Sequence, residues 1–212
     1  MAGFVRFRSP AVVRPFPARR YEIIYADPPW PYYGDPKKDQ AAGKHYELMS
    51  VDAIKALPVQ EIRAQPAVLF LWATAPKLPE ALEVMEAWGF HFRGVAYLWV
   101  KTTHDGRIIS GQGIRPTFTK PTSELVLVGS TNARGRTFPL LTEAQGQVVP
   151  APRGRHSEKP PAVRERIVEL LGDRARIELF ARARVSGWDA WGNEIDERGL
   201  AAPAAGSDGA AA

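Results

Sequence analysis

A run of seven apolar residues, Ala67 to Ala73, limits the folds open to this chain more than any other feature of its sequence. A continuous apolar run of this length, opened by Pro66, is typical of a strand that is covered on both faces. Such strands occur mainly in sheets that have helices packed above and below them. The run therefore predicts a layered α/β core.

Other segments of the chain alternate between strand patterns and helical spacing. Further strands are predicted at Tyr21 to Asp27, Phe92 to Val100, Glu124 to Val128 and Arg176 to Ala181. Helices are predicted from the Ser50 cap to Leu57, from Leu78 to a stop at Gly89, and from Pro161 to a stop at Gly172.

This alternation predicts a mostly parallel sheet with helices on both faces. In sheets of this kind, ligands bind beyond the carboxyl ends of the strands. Asp27 and Phe180 lie at the carboxyl ends of two of the predicted strands. We therefore expect both residues to lie at the ligand-binding edge of the sheet.

Length and composition exclude several other classes of protein. A chain of 212 residues builds one core of ordinary size, and the absence of cysteine excludes disulfides and thiolate metal sites. No apolar run approaches the roughly 18 residues that a membrane-spanning helix needs. We expect a cytoplasmic protein with no metal site and no membrane partner.

The two ends of the chain differ in composition from its middle. Residues 1–20 contain five arginines, three prolines and no acidic residue, which predicts an extended basic arm. Residues 199–212 are rich in alanine and glycine and are predicted to be a disordered tail. This leaves 21–198 as a single domain. The net charge of +5 suits a polyanionic partner, although charge alone does not establish one.

The strand that ends at Ala26 runs directly into the motif Asp27-Pro28-Pro29-Trp30. Taken alone, an aspartate before two prolines is often only a turn. Here an ordered series of segments follows it: Tyr46 to Ser50, Leu69 to Trp72, Trp88 to Phe90, Trp99 to Thr102, His156 with Lys159 and Pro160, Glu178 to Arg182, and Gly192 to Glu194. In these residues and their order the chain resembles the MT-A70 family of adenine-N6 methyltransferases across 21–196.

The resemblance implies a Rossmann-like class I methyltransferase fold with a permuted motif order, and S-adenosylmethionine as the cofactor. It implies that the cofactor is bound by Asp27, His156, Ser157, Lys159, Glu178, Phe180, Arg182, Asn193 and Glu194. Within this set Lys159 would meet the methionine carboxylate and Glu178 the ribose hydroxyls. Because a carboxylate in an apolar strand needs a partner, we expect Glu178 to pair with the ligand or with Arg182. Pro161 departs from the family pattern, in which an acidic residue is common.

The motif residues suit the chemistry that the resemblance implies. The N6 amine of adenine is a poor nucleophile because its lone pair is conjugated into the ring. A carboxylate at Asp27 and the backbone carbonyl of Pro28 would accept its two N–H bonds and favour a tetrahedral nitrogen. Pro29 stiffens the loop, and Trp30 offers a flat face for a flipped base. Packing in the core, rather than base stacking, is predicted for four other tryptophans: Trp72, Trp88, Trp99 and Trp191.

Substrate binding is predicted at Tyr46 and at basic residues of one long loop, 102–121, with its flanks: Lys101, Arg107, Arg115 and Lys120. A second basic group comprises Arg134, Arg136, Arg153 and Arg155. If these side chains flank the Trp30 pocket they would neutralise phosphates, whereas the alternative is a solvated surface.

Three functions remain open at this stage. The first is a DNA adenine-N6 methyltransferase, because a small chain without appended RNA-binding modules resembles the prokaryotic and phage members of the family. The second is an RNA adenine-N6 methyltransferase on the same scaffold, and the third is a noncatalytic scaffold that binds nucleic acid or a partner. A homodimer, or pairing with a second methyltransferase subunit, is compatible with each of them.

Overall fold

The computed structural model describes residues 15–31, 48–109, 118–154 and 158–195. Its strands are β1 (Tyr21–Ala26), β2 (Arg63–Ala73), β3 (His91–Thr102), β4 (Ser123–Ser130), β5 (Val148–Pro152), β6 (Arg176–Leu179) and β7 (Asp189–Trp191). Its helices are α1 (Val51–Lys55), α2 (Val59–Ile62), α3 (Leu78–Ala87) and α4 (Pro161–Leu171), with a 3₁₀ turn at Ala75–Lys77.

The strands form one seven-stranded sheet in the order β5-β3-β4-β2-β1-β6-β7. β4 is antiparallel to both of its neighbours, and the other strands run parallel to one another. The prediction of a mostly parallel sheet is confirmed. We call the edge at which the six parallel strands end the carboxyl edge, and the opposite edge the amino edge.

Alternation along the central strands sends side chains into two separate cores. On one face, Ile24 of β1 and Leu69 of β2 pack with a cluster that includes residues of α1 and α3. On the other face, Tyr25 and Phe70 pack with a cluster that includes the α4 residue Ile167. Because side chains of a strand alternate between faces, a continuous apolar run fills both cores. The expectation of helices on both faces is confirmed.

The helix boundaries follow from local chemistry. The Ser50 side chain accepts a hydrogen bond from the Ala53 N–H at 3.1 Å and so caps α1, as predicted. Gly89, just after α3, has a φ of 77°, which a residue with a side chain rarely adopts. Pro161 occupies the first turn of α4, where its missing N–H costs no helical hydrogen bond.

The structure also differs from the sequence-based expectations. β5 and β7 were not predicted, because β5 contains two prolines and β7 has only three residues. β2 begins at Arg63 and β3 continues to Thr102, so both strands are longer than their apolar runs. Backbone pairing with neighbouring strands extends these elements beyond the residues that burial alone marks.

Residues 15–20 lie against the domain in the part of the chain that the structure describes. The ring of Phe16 is 4.5 Å from that of Trp191, and Arg19 pairs with Asp189 at 3.2 Å. Among the described helices, none is long and apolar enough to span a membrane.

Candidate active site

Charged residues from four segments meet at the carboxyl edge, and one of them is there because β4 is antiparallel to its neighbours. Asp27 follows β1, and Lys101 lies near the end of β3. Since β4 runs the other way, its beginning lies where its neighbours end, so Glu124 joins them. Lys159, two residues before α4, completes the group through its contacts with Asp27 and Glu124.

Asp27 and Lys159 form a buried ion pair at this edge. The Lys159 Nζ lies 3.0 Å from Oδ2 of Asp27, and the two side chains are only 9% and 20% exposed, respectively. Burial raises the pKa of the Asp27 carboxyl above its ordinary value, although the Lys159 ammonium opposes that shift. The pKa of Lys159 is raised because the attraction of the two carboxylates outweighs the opposing effect of its burial. The pKa of Asp27 is therefore set by two opposing effects: burial raises it, and the nearby Lys159 ammonium lowers it.

Glu124 was not predicted as a site residue, yet it contacts the same lysine. Its Oε2 lies 3.2 Å from the Lys159 Nζ, and its Oε1 accepts a hydrogen bond from the Lys101 Nζ at 2.5 Å. Burial of Glu124 opposes ionisation, but the two lysines hold its pKa below the ordinary value. The strand pattern marked Glu124 only as the start of a strand, because nothing local indicates the direction of β4.

The loop after β1 is held by its own backbone. The Trp30 N–H donates to the Pro28 carbonyl at 2.8 Å, and the Met49 N–H donates to the Pro29 carbonyl at 3.1 Å. The Trp30 indole donates to the Trp72 carbonyl at 3.0 Å, and its ring packs partly against the core. A carbonyl oxygen has two lone pairs, so Pro28 keeps acceptor capacity while this turn fixes its direction.

Aromatic residues lie beneath the ion pair. The Lys159 Nζ is 5.3 Å from the centroid of the Trp72 ring, within the range of a cation–π contact. The Trp72 indole in turn donates to the Tyr25 hydroxyl at 2.6 Å. Burial raises the pKa of Tyr25 well above its ordinary value, so this phenol stays protonated. The prediction that Trp72 packs in the core is confirmed, and the residue also supports the site.

Glu178 lies in β6, and its partner is a residue that the sequence analysis did not name. Both of its carboxylate oxygens lie 3.1 Å from Nη1 of Arg164, in α4. The expected protein partner, Arg182, instead lies 3.7 Å from Glu194. The protein partner is Arg164 rather than Arg182, because Arg164 reaches Glu178 across the interface between α4 and the sheet. Pairing of Glu178 with the ligand stays a prediction. Burial raises the pKa of Glu178, and the arginine opposes the shift.

The chain turns sharply after β6 and crosses the segment that follows β7. Phe180 has a φ of 60°, its ring packs edge-on to Trp191 at 5.5 Å, and the Ala181 N–H donates to the Trp191 carbonyl at 3.0 Å. A Cβ on Gly192 would lie 2.4 Å from the Ala181 carbonyl oxygen, so only glycine fits this crossing. The crossing brings together the predicted cofactor residues Phe180, Arg182, Asn193 and Glu194.

The predicted basic residues occupy different positions from one another. Lys101 is part of β3 rather than of a loop, and Arg107 lies in the exposed turn after it, 2.8 Å from Asp105. Lys120 is exposed on the approach to β4. Tyr46, Arg115, Arg155, His156 and Ser157 lie outside the described residues.

The second basic group is split between the two edges of the sheet. Arg153 follows β5 and lies at the carboxyl edge, whereas Arg134 and Arg136 follow β4 and lie at the amino edge. The hypothesis that Arg134 and Arg136 flank the Trp30 pocket is therefore wrong. The reversed strand β4 carries this loop away from Asp27.

The described residues contain no group of three or more acidic or histidine side chains arranged to hold a metal ion.

Comparison with known proteins bears on what this arrangement is for. Residues 21–194 match the family model MT-A70, from the first strand to the segment after β7. The chain belongs to the MT-A70 family. As a member it is a methyltransferase with the Rossmann-like fold that the sequence resemblance implied, and the family requires a methyl donor.

Individual relatives of this MT-A70 protein differ in length. It is 32% identical to the type II methyltransferase M.MunI of a Mycoplasma species, over 90% of this chain and 84% of that protein. It is 28% identical to the N6-methyladenosine RNA methyltransferase MTA1 of Pyricularia oryzae, over 84% of this chain and 48% of that protein. It is 25% identical to the N(6)-adenine-specific methyltransferase METTL4 of Homo sapiens, over 84% of this chain and 38% of that protein. The chain thus spans less than half of these two eukaryotic relatives.

Proposed function

We propose that this MT-A70 protein transfers a methyl group from S-adenosylmethionine to the N6 amine of adenine in DNA. The observation that carries the proposal is the Asp27 carboxylate, placed at the carboxyl edge, 3.0 Å from Lys159, and followed by the rigid Pro28 carbonyl. This arrangement supplies two acceptors next to a fixed cation.

Two features of the described residues support S-adenosylmethionine as the methyl donor. The methionine part of this cofactor carries an amino group and a carboxylate, and Asp27 beside Lys159 offers a charge of each complementary sign. The cradle at the Ala181 and Gly192 crossing is so close that a Cβ there would collide with backbone. In this proposal the ribose and adenine are held by Glu178, Phe180, Arg182, Asn193 and Glu194, and His156 with Ser157 shape the loop before Lys159.

When bound, S-adenosylmethionine supplies an electrophilic methyl group on a sulfonium. The residues of the chain prepare the nucleophile: Asp27 and the Pro28 carbonyl accept hydrogen bonds from the N6 amine, which directs its lone pair away from them. The Asp27 oxygen that accepts one N–H is also the base within reach of that proton, and its raised pKa suits the task. Trp30 is proposed to stack on the flipped adenine.

DNA is the proposed nucleic acid because the chain is 32% identical to a prokaryotic type II methyltransferase and covers 84% of it. RNA is the second candidate, favoured by the likeness to an N6-methyladenosine RNA methyltransferase. The exposed cations at the carboxyl edge, Arg107, Lys120 and Arg153, are proposed to meet phosphates of either polymer. Pairing with a second subunit stays a prediction.

The test is methyl transfer from labelled S-adenosylmethionine to single-stranded DNA, duplex DNA and RNA in parallel, followed by identification of the labelled nucleoside. We expect N6-methyldeoxyadenosine from at least one DNA substrate, and roughly a hundredfold to a thousandfold less of it with the Asp27→Ala variant. Label in N6-methyladenosine alone would select the RNA alternative. Label on any other atom, or near-normal turnover of Asp27→Ala, would refute the proposed site.

A further inference from the structure

Four charged side chains of alternating sign form an unbroken chain at the carboxyl edge. Lys101 contacts Oε1 of Glu124 at 2.5 Å, Oε2 of Glu124 contacts Lys159 at 3.2 Å, and Lys159 contacts Asp27 at 3.0 Å. The Lys101 and Glu124 side chains are only 22% and 14% exposed, so this row of four charged side chains is shielded from solvent. The two cations and two anions cancel in formal charge.

The Lys159 ammonium is shared between two carboxylates. Both Asp27 and Glu124 attract it, so its position depends on the balance between them. If Glu124 lost its charge, Asp27 would be the one of these two carboxylates left to attract the ammonium. Glu124 therefore affects how strongly the Lys159 ammonium is attracted to Asp27.

Lys101 is fixed on Glu124 rather than directed into solvent. Its Nζ also lies 5.1 Å from the centroid of the Trp99 ring. The Lys101 backbone is held on both sides, since its N–H donates to the Thr122 carbonyl at 2.9 Å and its carbonyl accepts from the Ile109 N–H at 2.8 Å. A lysine held in this way differs from the exposed Lys120, whose side chain is open to a phosphate.

We propose that Glu124 and Lys101 are positioning residues of the methyl-transfer site: Glu124 holds the Lys159 ammonium beside Asp27, and Lys101 holds Glu124. The proposal replaces the sequence-based assignment of Lys101 to phosphate binding, and it rests on the proposed function of Asp27 and Lys159. Neither residue touches the reacting atoms in this scheme, because both act through Lys159.

The scheme fixes the direction in which each substitution moves the pKa of Asp27. Glu124→Gln removes a carboxylate that raises this pKa and that competes with Asp27 for the Lys159 ammonium, so the pKa of Asp27 falls. Lys101→Met removes the cation that competes for Glu124, so Glu124 attracts Lys159 more strongly. The ammonium then stabilises the Asp27 carboxylate less, and the pKa of Asp27 rises. In the double variant Lys101 has nothing to act through, and the pKa returns to that of Glu124→Gln. The other ionisable groups coupled to Asp27, namely Arg182, Glu178 and Tyr25, are unchanged in all three variants.

The experiment is a carbon-13 NMR titration of the Asp27 carboxyl in the ligand-free protein and the three variants. We expect opposite shifts for the two single variants and the same pKa for Glu124→Gln and the double variant. Equal shifts in one direction, or an additive double variant, would overturn the proposal. Because this measurement needs neither cofactor nor nucleic acid, it can fail while methyl transfer succeeds, and it can succeed while methyl transfer fails.

A second measurement separates positioning from phosphate binding. Lys101→Met is expected to lower kcat by roughly 10- to 100-fold and to leave the salt dependence of DNA affinity unchanged. Lys101→Arg, which retains the charge, is expected to restore most of this loss. Lys120→Met is the matched comparison, and a reduced salt dependence of DNA affinity is expected for it. A reduced salt dependence for Lys101→Met with normal kcat would return Lys101 to the phosphate contacts.

If Glu124→Gln does not fold, the NMR titration of Lys101→Met still decides the point by the direction in which the pKa of Asp27 shifts.

Discussion

The Nζ of Lys159 lies 3.0 Å from Oδ2 of Asp27, which joins the segment before α4 to the loop after β1. The two residues come from distant parts of the chain, and each of them has burial acting against its charged form. Each therefore stabilises the ionised form of the other.

Asp27→Ala is expected to lower methyl transfer by roughly a hundredfold to a thousandfold, because one of the two acceptors for the amine is lost. The fold should persist, since Lys159 keeps Glu124 as a partner at 3.2 Å. Radiolabel transfer and thermal unfolding measure the two effects. Glu86→Ala, which removes an exposed carboxylate from α3, is the control and should behave like the wild type. Near-normal turnover of Asp27→Ala would disprove the role of this carboxylate.

The pH dependence of kcat/KM should report the ionisation of Asp27. Burial raises this pKa above the ordinary 3.8, and only the ionised carboxylate can act as the base for the amine proton, so activity is lost as the pH falls through the raised value. Lys159→Met removes the main influence that lowers the pKa, and it should move this acid limb to higher pH. The comparison needs both profiles measured at saturating cofactor. An acid limb that stays in place, or moves to lower pH, would contradict the assignment.

Glu178→Ala is expected to weaken cofactor binding and also to destabilise the fold. It leaves Arg164 buried without the carboxylate it contacts at 3.1 Å, which costs about 3 kcal/mol in the free energy of unfolding. The double variant Glu178→Ala with Arg164→Met should recover most of that stability but none of the cofactor affinity. Urea unfolding and calorimetric titration with S-adenosylmethionine separate the two. Recovery of affinity in the double variant would show that Glu178 does not contact the cofactor.

Gly192→Ala should reduce cofactor affinity by roughly tenfold or more, equivalent to about 1.4 kcal/mol. The added Cβ would meet backbone atoms of Ala181 at 2.4 and 2.8 Å, so the crossing that brings Arg182 and Asn193 together has to open. Gly146→Ala is the matched control, because a Cβ there meets nothing within 4 Å. The measurement is the Kd for S-adenosylmethionine in both variants. Equal affinities would exclude the crossing from the cofactor site.

The salt dependence of DNA binding should distinguish the two edges of the sheet. Arg153→Ala, at the carboxyl edge, is expected to lower the slope of log Kd against log salt by about 0.9, the value for one phosphate contact. Arg134→Ala, at the amino edge, removes the same charge and should leave the slope unchanged. Binding isotherms at several salt concentrations measure both slopes. A change for Arg134 equal to that for Arg153 would show that DNA contact is not confined to the carboxyl edge.

Much of the fold followed from local sequence patterns. The strand at Ala67–Ala73, the Ser50 cap, the stop at Gly89 and the helix opened by Pro161 all agree with the structure. These features depend on burial and on backbone geometry within a few residues, which the chain specifies locally. Asp27 at the end of a strand was predictable for the same reason.

Other parts of the site depended on tertiary structure. The apolar pattern of β4 is the same whichever way the strand runs, so only the assembled sheet placed Glu124 beside Lys159 and took Arg134 to the other edge. The partner of Glu178 was likewise decided by the packing of α4 on the sheet, which selects Arg164. The sequence alone determined the motif, the layers and the family resemblance, because these are local or ordered along the chain. The pairing of charges was decided by contacts between distant segments, which no local pattern encodes.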